Sequence, residues 1–438
     1  MPDSRSWNPS RGRELNCAES GGMSPFATLR PRGPISTRRA LLMLIPIAAL
    51  VAGPALPAGA DPSSSATRSW GTAKVSGKSK AQRVNAVVEA GGVAYLGGEF
   101  TKMVSPSGST TSRGYLAAID GTTGDLKSWN PKANGKVWAM EVSADGRSVY
   151  VGGDFSKIGD RSASKVARID LATGKLDTSF KARSVSGRVR ALKLDGDRLY
   201  IGGEFGSVDG KSRPKLAALS AGSGALLDWT PPPLGPGRYI GHTGIPTPDY
   251  SPGHVFSIEV IGGKVFAAGN FLNLGGEGGL VTLDAATGAL ADPQYEPGRP
   301  MFDLARSGGV LYAVGGGPGG RLYAFSTDDD TPLWKVKFDG DSVGVAASGS
   351  TVYVAGHYDY IVSKDSSCYQ FCPGGPHRQH LSAFSTSGGQ LLPWDPDADT
   401  NTGPFTAAVG GNALYVGGEF FKINGKSQPG FAIFPGSP

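Results

Sequence analysis

Seven copies of a four-strand pattern, with no competing helical periodicity, predict an all-β chain folded as a seven-bladed β-propeller of four-stranded antiparallel blades. Three observations carry that reading. A signature strand recurs along the chain. The segments around it keep one order. The composition, with 67 Gly, 32 Pro and only 18% charged residues in 438, suits many short strands joined by tight turns.

The signature reads YLGGEF at 95–100, YVGGDF at 150–155, YIGGEF at 200–205 and YVGGEF at 415–420. Looser versions begin at Phe266, Tyr312 and Tyr353. Such self-similarity marks a repeat architecture. Each unit opens with an alternating apolar stretch such as VNAVVEA (84–90), VRALKL (189–194) or VFSIEV (255–260). A Gly or Asp-Gly turn leads to the signature strand. A third strand follows, as in YLAAID (115–120), KLAALS (215–220) and HLSAFS (380–385). A T-G type turn then leads to a fourth strand ending near Trp129, Phe180, Trp229, Trp334 or Trp394, with Tyr295 in that place in unit four. Gly-Gly inside a strand marks close backbone approach. The expectation is that it makes room for an aromatic side chain of the adjoining blade. A phosphate-cradling loop is disfavoured, because neither a helix nor Lys-Ser/Thr follows the glycines.

The seventh unit stops after GFAIFPG and lacks a fourth strand. Ser69-Trp70-Gly71 resembles Ser128-Trp129-Asn130, so an N-terminal strand is expected to pair beside Phe431–Phe434 and close the ring. This divides the chain into an extension with an export signal (1–60), a linker with the closing strand (61–83) and the propeller repeats (84–438).

The Y-[VIL]-G-G-[ED]-F strand, the following L-A-x-[LI]-D and the T-G-x-L…W turn resemble the delta-sixty repeat propellers of exported bacterial proteins. That resemblance covers roughly 84–438 and implies a fold, not a chemistry. Units five (YAVGGGPGG) and six (YVAGHYDY) depart from it.

The N-terminus reads as an export signal. Arg30, Arg32, Arg38 and Arg39 precede the apolar run 40–53, and Ala58-Gly59-Ala60 matches an A-x-A cleavage site. Thr37-Arg38-Arg39-Ala40-Leu41-Leu42 also resembles a twin-arginine signal, so Sec and twin-arginine routes both stay open, and Met23 is an alternative start. The apolar run is too short for a comfortable bilayer span. The reading is therefore a secreted or extracellular protein with no stable membrane span. Of the net charge of +6, residues 1–60 supply +4 (seven Arg, three acids), leaving +2 on the rest. With no basic stripe, nucleic acid is not an expected partner. In an oxidising compartment Cys368 and Cys372 of SSCYQFCPGG are read as a local disulfide. Zinc held with His377 and His380 is the alternative, on a spacing that is not a standard finger.

In antiparallel four-stranded blades, the loops after strand two and after strand four share one face. The long segments 101–114, 231–254 and 361–379 all belong to that class, and long loops on a rigid scaffold are where binding resides. Candidate binding residues there are Arg238, Tyr239, His242, Tyr250, His254, Tyr369, His377 and Arg378, a set that suits sugars or peptides. The signature acids Glu99, Asp154, Glu204 and Glu419 end strand two near the same face, and are read as ion-pair partners of bases in the following loop, Arg113 and Arg213 among them. Asp395-Pro396-Asp397-Ala398-Asp399 offers alternate carboxylates to calcium but lacks the rest of a cage, so no metal is assigned. No catalytic residues and no cofactor are assigned either, since no nucleophile–base motif is present. The expectation is a monomeric binding or scaffold module for an extracellular carbohydrate or protein. The rival is a propeller enzyme, either glycoside-active or quinoprotein-like, although quinoprotein rings usually have eight blades.

Overall fold

A computed structural model describes residues 62–78, 80–182, 184–240, 246–248, 253–272, 278–317, 319–362, 375–399 and 403–436. For 238–240 and 246–248 only the backbone is described. All belong to the second of two compact units, Leu56–Pro438. No described residue is helical.

Each repeat forms one antiparallel sheet. Repeat one pairs Val84–Ala90, Val93–Gly98 and Leu116–Asp120 in that order. The same order holds for Val137–Val142, Ser148–Gly153 and Val166–Asp170, and for Val189–Asp195, Arg198–Gly203 and Leu216–Ser220. Repeat four uses Val255–Ile261, Lys264–Leu272 and Gly278–Asp284. Repeat five uses Met301–Ser307, Val310–Gly315, Arg321–Ser326 and Pro332–Phe338. Repeats six and seven use Asp341–Ser348, Thr351–His357 and Leu381–Ser385, then Pro404–Gly410, Ala413–Gly418 and Phe431–Pro435. The first strands pack one against the next from repeat one to repeat seven, and that of repeat seven lies against that of repeat one.

The fourth strand is shorter than the sequence predicts. Only repeat five has it in full; elsewhere it shrinks to one bridge, such as Ile119↔Leu126, Leu219↔Leu226 or Phe384↔Leu391. Pro131, Pro231, Pro293 and Pro396 sit in these segments, and proline cannot donate to a ladder. The Pro332–Phe338 segment carries its proline only at the first position, where it costs no ladder bond.

The terminal aromatics tie neighbouring repeats together. Trp129 stacks edge-on against Tyr95 at 5.1 Å, and its indole N–H donates to the Asp170 carbonyl of the next repeat at 3.2 Å. Trp229 does the same with Tyr200 and the Asp284 carbonyl. Trp394 packs on Tyr353 and donates instead to the carbonyl of Ser63. The N-terminal segment follows repeat seven further. Ser63 and Thr67 donate their backbone N–H to Pro435 and Ile433, and the Gln428 amide donates to Ser69 Oγ at 2.6 Å.

The two signature glycines have separate causes, and neither is the expected aromatic side chain of the adjoining repeat. A Cβ at the first, Gly97, would lie 2.5 Å from Val137 Cγ1 of the next repeat, so the strand accommodates the neighbour's leading valine. Gly152, Gly202 and Gly417 likewise face Val189, Val255 and Val84. A Cβ at the second, Gly98, would collide with the Arg83 carbonyl oxygen of its own repeat. That close approach is produced by a β-bulge. In all seven repeats the register slips by one residue at the start of the first strand, as between Val84 and Ala86.

Candidate functional site: a channel lined by bulge residues

A β-bulge leaves one residue unpaired and re-aims its side chain. The seven bulge residues are Asn85, Trp138, Arg190, Phe256, Phe302, Val343 and Phe405. All seven are half-buried, and all line one cavity of about 620 Å³ between the first strands. The mouth of this channel is a ring of four aromatics, one guanidinium, one amide and one valine.

Charged groups brace that ring. The residue preceding each first strand meets the signature acid of the repeat before it. Lys136 Nζ lies 2.6 Å from Glu99, Arg188 Nε 2.7 Å from Asp154, and Arg83 Nε 2.8 Å from Glu419, which also receives Lys80. Glu204 accepts from Arg188 and Arg190, and His254 Nδ1 stands 3.6 Å from it. For Glu99, Asp154 and Glu419 a cation therefore comes from the next repeat's leading position, and for Glu204 from Arg188 and Arg190 of its own repeat, not from the loop bases expected from sequence. Arg113 spends its Nη groups on the Ser112 and Lys127 carbonyls. Arg213 donates to the Ser212 carbonyl and stands 3.9 Å from Asp228. Burial alone would raise the Asp154 and Glu204 carboxyls, but hydrogen bonds and charge from Arg188 and Trp138, and from Arg190, hold both below the usual range. Burial lowers His254, against the pull of Glu204.

The same guanidiniums rest on the aromatic ring. Arg190 lies 4.3 Å from the Trp138 centroid and 5.7 Å from that of Phe256, and Arg83 lies 4.0 Å from Phe405. Trp138 is itself oriented by its N–H to Asp154 Oδ2 at 3.1 Å. Arg83 and Arg190 spend their Nε on Glu419 and Glu204. Among the described residues, no acceptor takes their Nη groups.

Deeper in the channel, Lys193 stands 3.0 Å from Glu259 and 3.8 Å from Glu141, and Arg306 stands 3.3 Å from Glu259. Burial would lower the Lys193 ammonium, but Glu141 and Glu259 together raise it. Asp303 accepts hydrogen bonds from Ser257 Oγ (2.9 Å), Leu304 N (2.9 Å) and Val345 N (3.0 Å). Burial of the carboxyl pushes it up to about 6 although the residue as a whole is only half-buried.

Of the binding candidates singled out from sequence, His254 alone among the described side chains stands at this mouth, 5.9 Å from Phe256. Arg238 and Tyr239 lie in a hairpin, Arg238–Ile240 with Pro246–Pro248, whose side chains are not described. His242, Tyr250, Tyr369, Cys368 and Cys372 lie outside the described residues. His377 packs on Tyr360 at 5.2 Å, and Arg378 donates to Asp395 at 3.0 Å. Asp399 caps the Phe421 and Lys422 amides, and no group of three metal-ligating side chains occurs among the described residues. Sequence reasoning missed the channel residues. Aligning the first strands on their leading position would have shown them as one column.

Connections rise around the mouth. Lys102–Val104 with Thr110–Ser112, Lys157–Ile158 with Arg161–Ser162, Ser207–Val208 with Lys211–Ser212, and Lys422–Ile423 with Lys426–Ser427 are ribbons that follow the signature strands. The 238–248 hairpin is anchored at the same end by the bridge Gly237↔Phe271.

Comparison with known proteins agrees with this architecture. Residues 144–180 match the family described as "Domain of unknown function (DUF5122) beta-propeller". The matched segment lies in repeat two and supports a β-propeller. No curated protein matches it. Among solved structures, the crystal structure of the computationally designed Ika8 protein aligns over 81% of this chain and 96% of its own, at 11% identity and a TM-score of 0.48.

Proposed function

We propose that this chain is an exported seven-bladed propeller, sealed by its N-terminal segment, that binds an extracellular ligand at the mouth of its central channel without transforming it. The observation that carries the reading is the cavity of about 620 Å³, within the size range of small-ligand sites, with aromatic and charged side chains converging at its mouth. The ribbons and the long hairpin surround that mouth, as expected of a binding face. The first strands succeed one another in a cycle, and Ser63 offers Trp394 the carbonyl that Asp170 offers Trp129; both support seven blades with an N-terminal seal. The arginines, apolar run and A-x-A of residues 30–60 support export, and the Cys368–Cys372 pair fits an oxidising destination. The mouth carboxylates are each committed to cations and Asp303 to three donors, which favours binding over proton transfer.

The secreted protein should retain ligands from arrays of saccharides and extracellular peptides and release them chemically unchanged. Hydrolysed or oxidised products would overturn the non-catalytic reading, and no retained ligand would overturn the binding reading. For the seal, deleting residues 62–70 should lower the melting temperature by more than 10 °C; an unchanged midpoint would remove the N-terminal segment from the ring.

A further inference from the structure

We infer that the ligand of the channel mouth is an uncharged saccharide, bound across the paired arginines and the aromatic ring. The inference rests on the binding reading above and names its chemistry. Arg83 and Arg190 are each fixed twice, by an Nε–carboxylate bond and by an aromatic face, and their Nη groups are left as oriented donors. Beside the Arg83 donors stands the Glu419 carboxylate, and beside those of Arg190 the Glu204 carboxylate. Donors and acceptors held side by side match hydroxyl groups, which both give and accept. An anion is poorly served, because each of these guanidiniums already has a counter-charge. The deeper wall carries the carboxylates Glu141, Glu259 and Asp303 against Lys193 and Arg306, so charge does not draw an anion inward. Phe302, half-buried and touching Phe256 at 5.9 Å, supplies an aromatic face for the apolar side of a sugar ring. Asn85 and Thr406 add neutral polar groups to the wall.

The test is calorimetric titration of the whole secreted chain with neutral gluco-, manno- and galacto-oligosaccharides, matched oligouronates and a glutamate peptide. Trp138 emission reports the mouth, with Trp138→Phe as the control for the signal's origin. The expected result is that at least one neutral oligosaccharide binds, shifts Trp138 emission, and changes affinity less than twofold between 50 and 500 mM salt. Phe302→Ala should weaken it at least tenfold. Arg190→Lys, which keeps the charge and loses the planar fork, should weaken it at least fivefold, with Arg83→Lys as the second variant where the first does not fold. Binding of uronates or the peptide, with no neutral sugar bound, would overturn the saccharide inference and leave the mouth as a binding site. No ligand perturbing Trp138 would overturn both.

Discussion

Repeats one, two, three and seven carry the full signature; repeats four, five and six do not. The difference follows what the next repeat offers. Where the acid stands (Glu99, Asp154, Glu204, Glu419), the next leading residue is a base: Lys136, Arg188, His254 or Arg83. Where Asn270, Gly316 or His357 replaces it, that residue is Pro300, Asp341 or Gly403. The first glycine obeys the same rule. It faces a valine in the first group, whereas Ala268, Val314 and Ala355 take its place where the residue before the next bulge is Met301, Ser342 or Pro404. The second glycine answers to its own bulge rather than to a neighbour, and it is present in all seven repeats. One hexapeptide thus mixes a rule about the fold with two rules about neighbours.

That comparison makes unequal predictions. The largest effect belongs to the second glycine. Gly203→Ala forces a Cβ into the Arg188 carbonyl and should cost about 3–5 kcal/mol in denaturant unfolding, or prevent folding. Gly202→Ala meets the movable side chain of Val255, and alanine already occupies this position in repeats four and six; it should cost about 1–2 kcal/mol. Equal costs would erase the distinction between the two glycines. Among the acids, Glu419→Gln strips the partner of two cations from a side chain only 6% exposed and should cost about 2–3 kcal/mol.

Asp303 and two of the signature acids, Asp154 and Glu204, titrate with opposite consequences. Asp154 and Glu204 are held below the usual carboxylate range, so the stability they give is present above the unfolded value near 4 and lost as pH falls through their folded values. Asp303, braced by N–H and O–H donors without a cation, is raised to about 6, so the native state binds the extra proton and stability falls as pH rises from about 4 to 6. Asp303→Asn removes that titration. Its stability relative to the wild type should improve by about 1–3 kcal/mol between pH 4 and 7, read by urea unfolding across the range. A pH-independent difference would show that the carboxyl titrates normally. The smallest effect is Glu99→Gln, whose partner Lys136 is 46% exposed; it should stay below about 1 kcal/mol by the same unfolding assay.

Much of the fold was legible because repeats one to three and seven keep their strands in register with the signature. The channel was not, and the reason is physical. Alternation along the first strand breaks at the bulge, so Trp138, Phe256 and Phe302 read as core residues of an apolar strand when they face the channel. The partners of the acids were also misplaced. Arg113 and Arg213 are near in sequence, whereas Arg83 reaches Glu419 across 336 residues. The Trp394 bond to Ser63 repeats, at another junction, the Trp129 bond to Asp170.

The contact between Gln428 and Ser69 joins residues 359 positions apart. The strip that bonds to the last repeat precedes all the repeats in the chain, so during synthesis it emerges early and waits for its partner. Until repeat seven arrives, both that strip and the Phe431–Pro435 edge it covers have unpaired backbone groups open to strangers. The molecule's vulnerability is thus one of timing: its most hazardous moment is the interval just before repeat seven reaches the N-terminal strip.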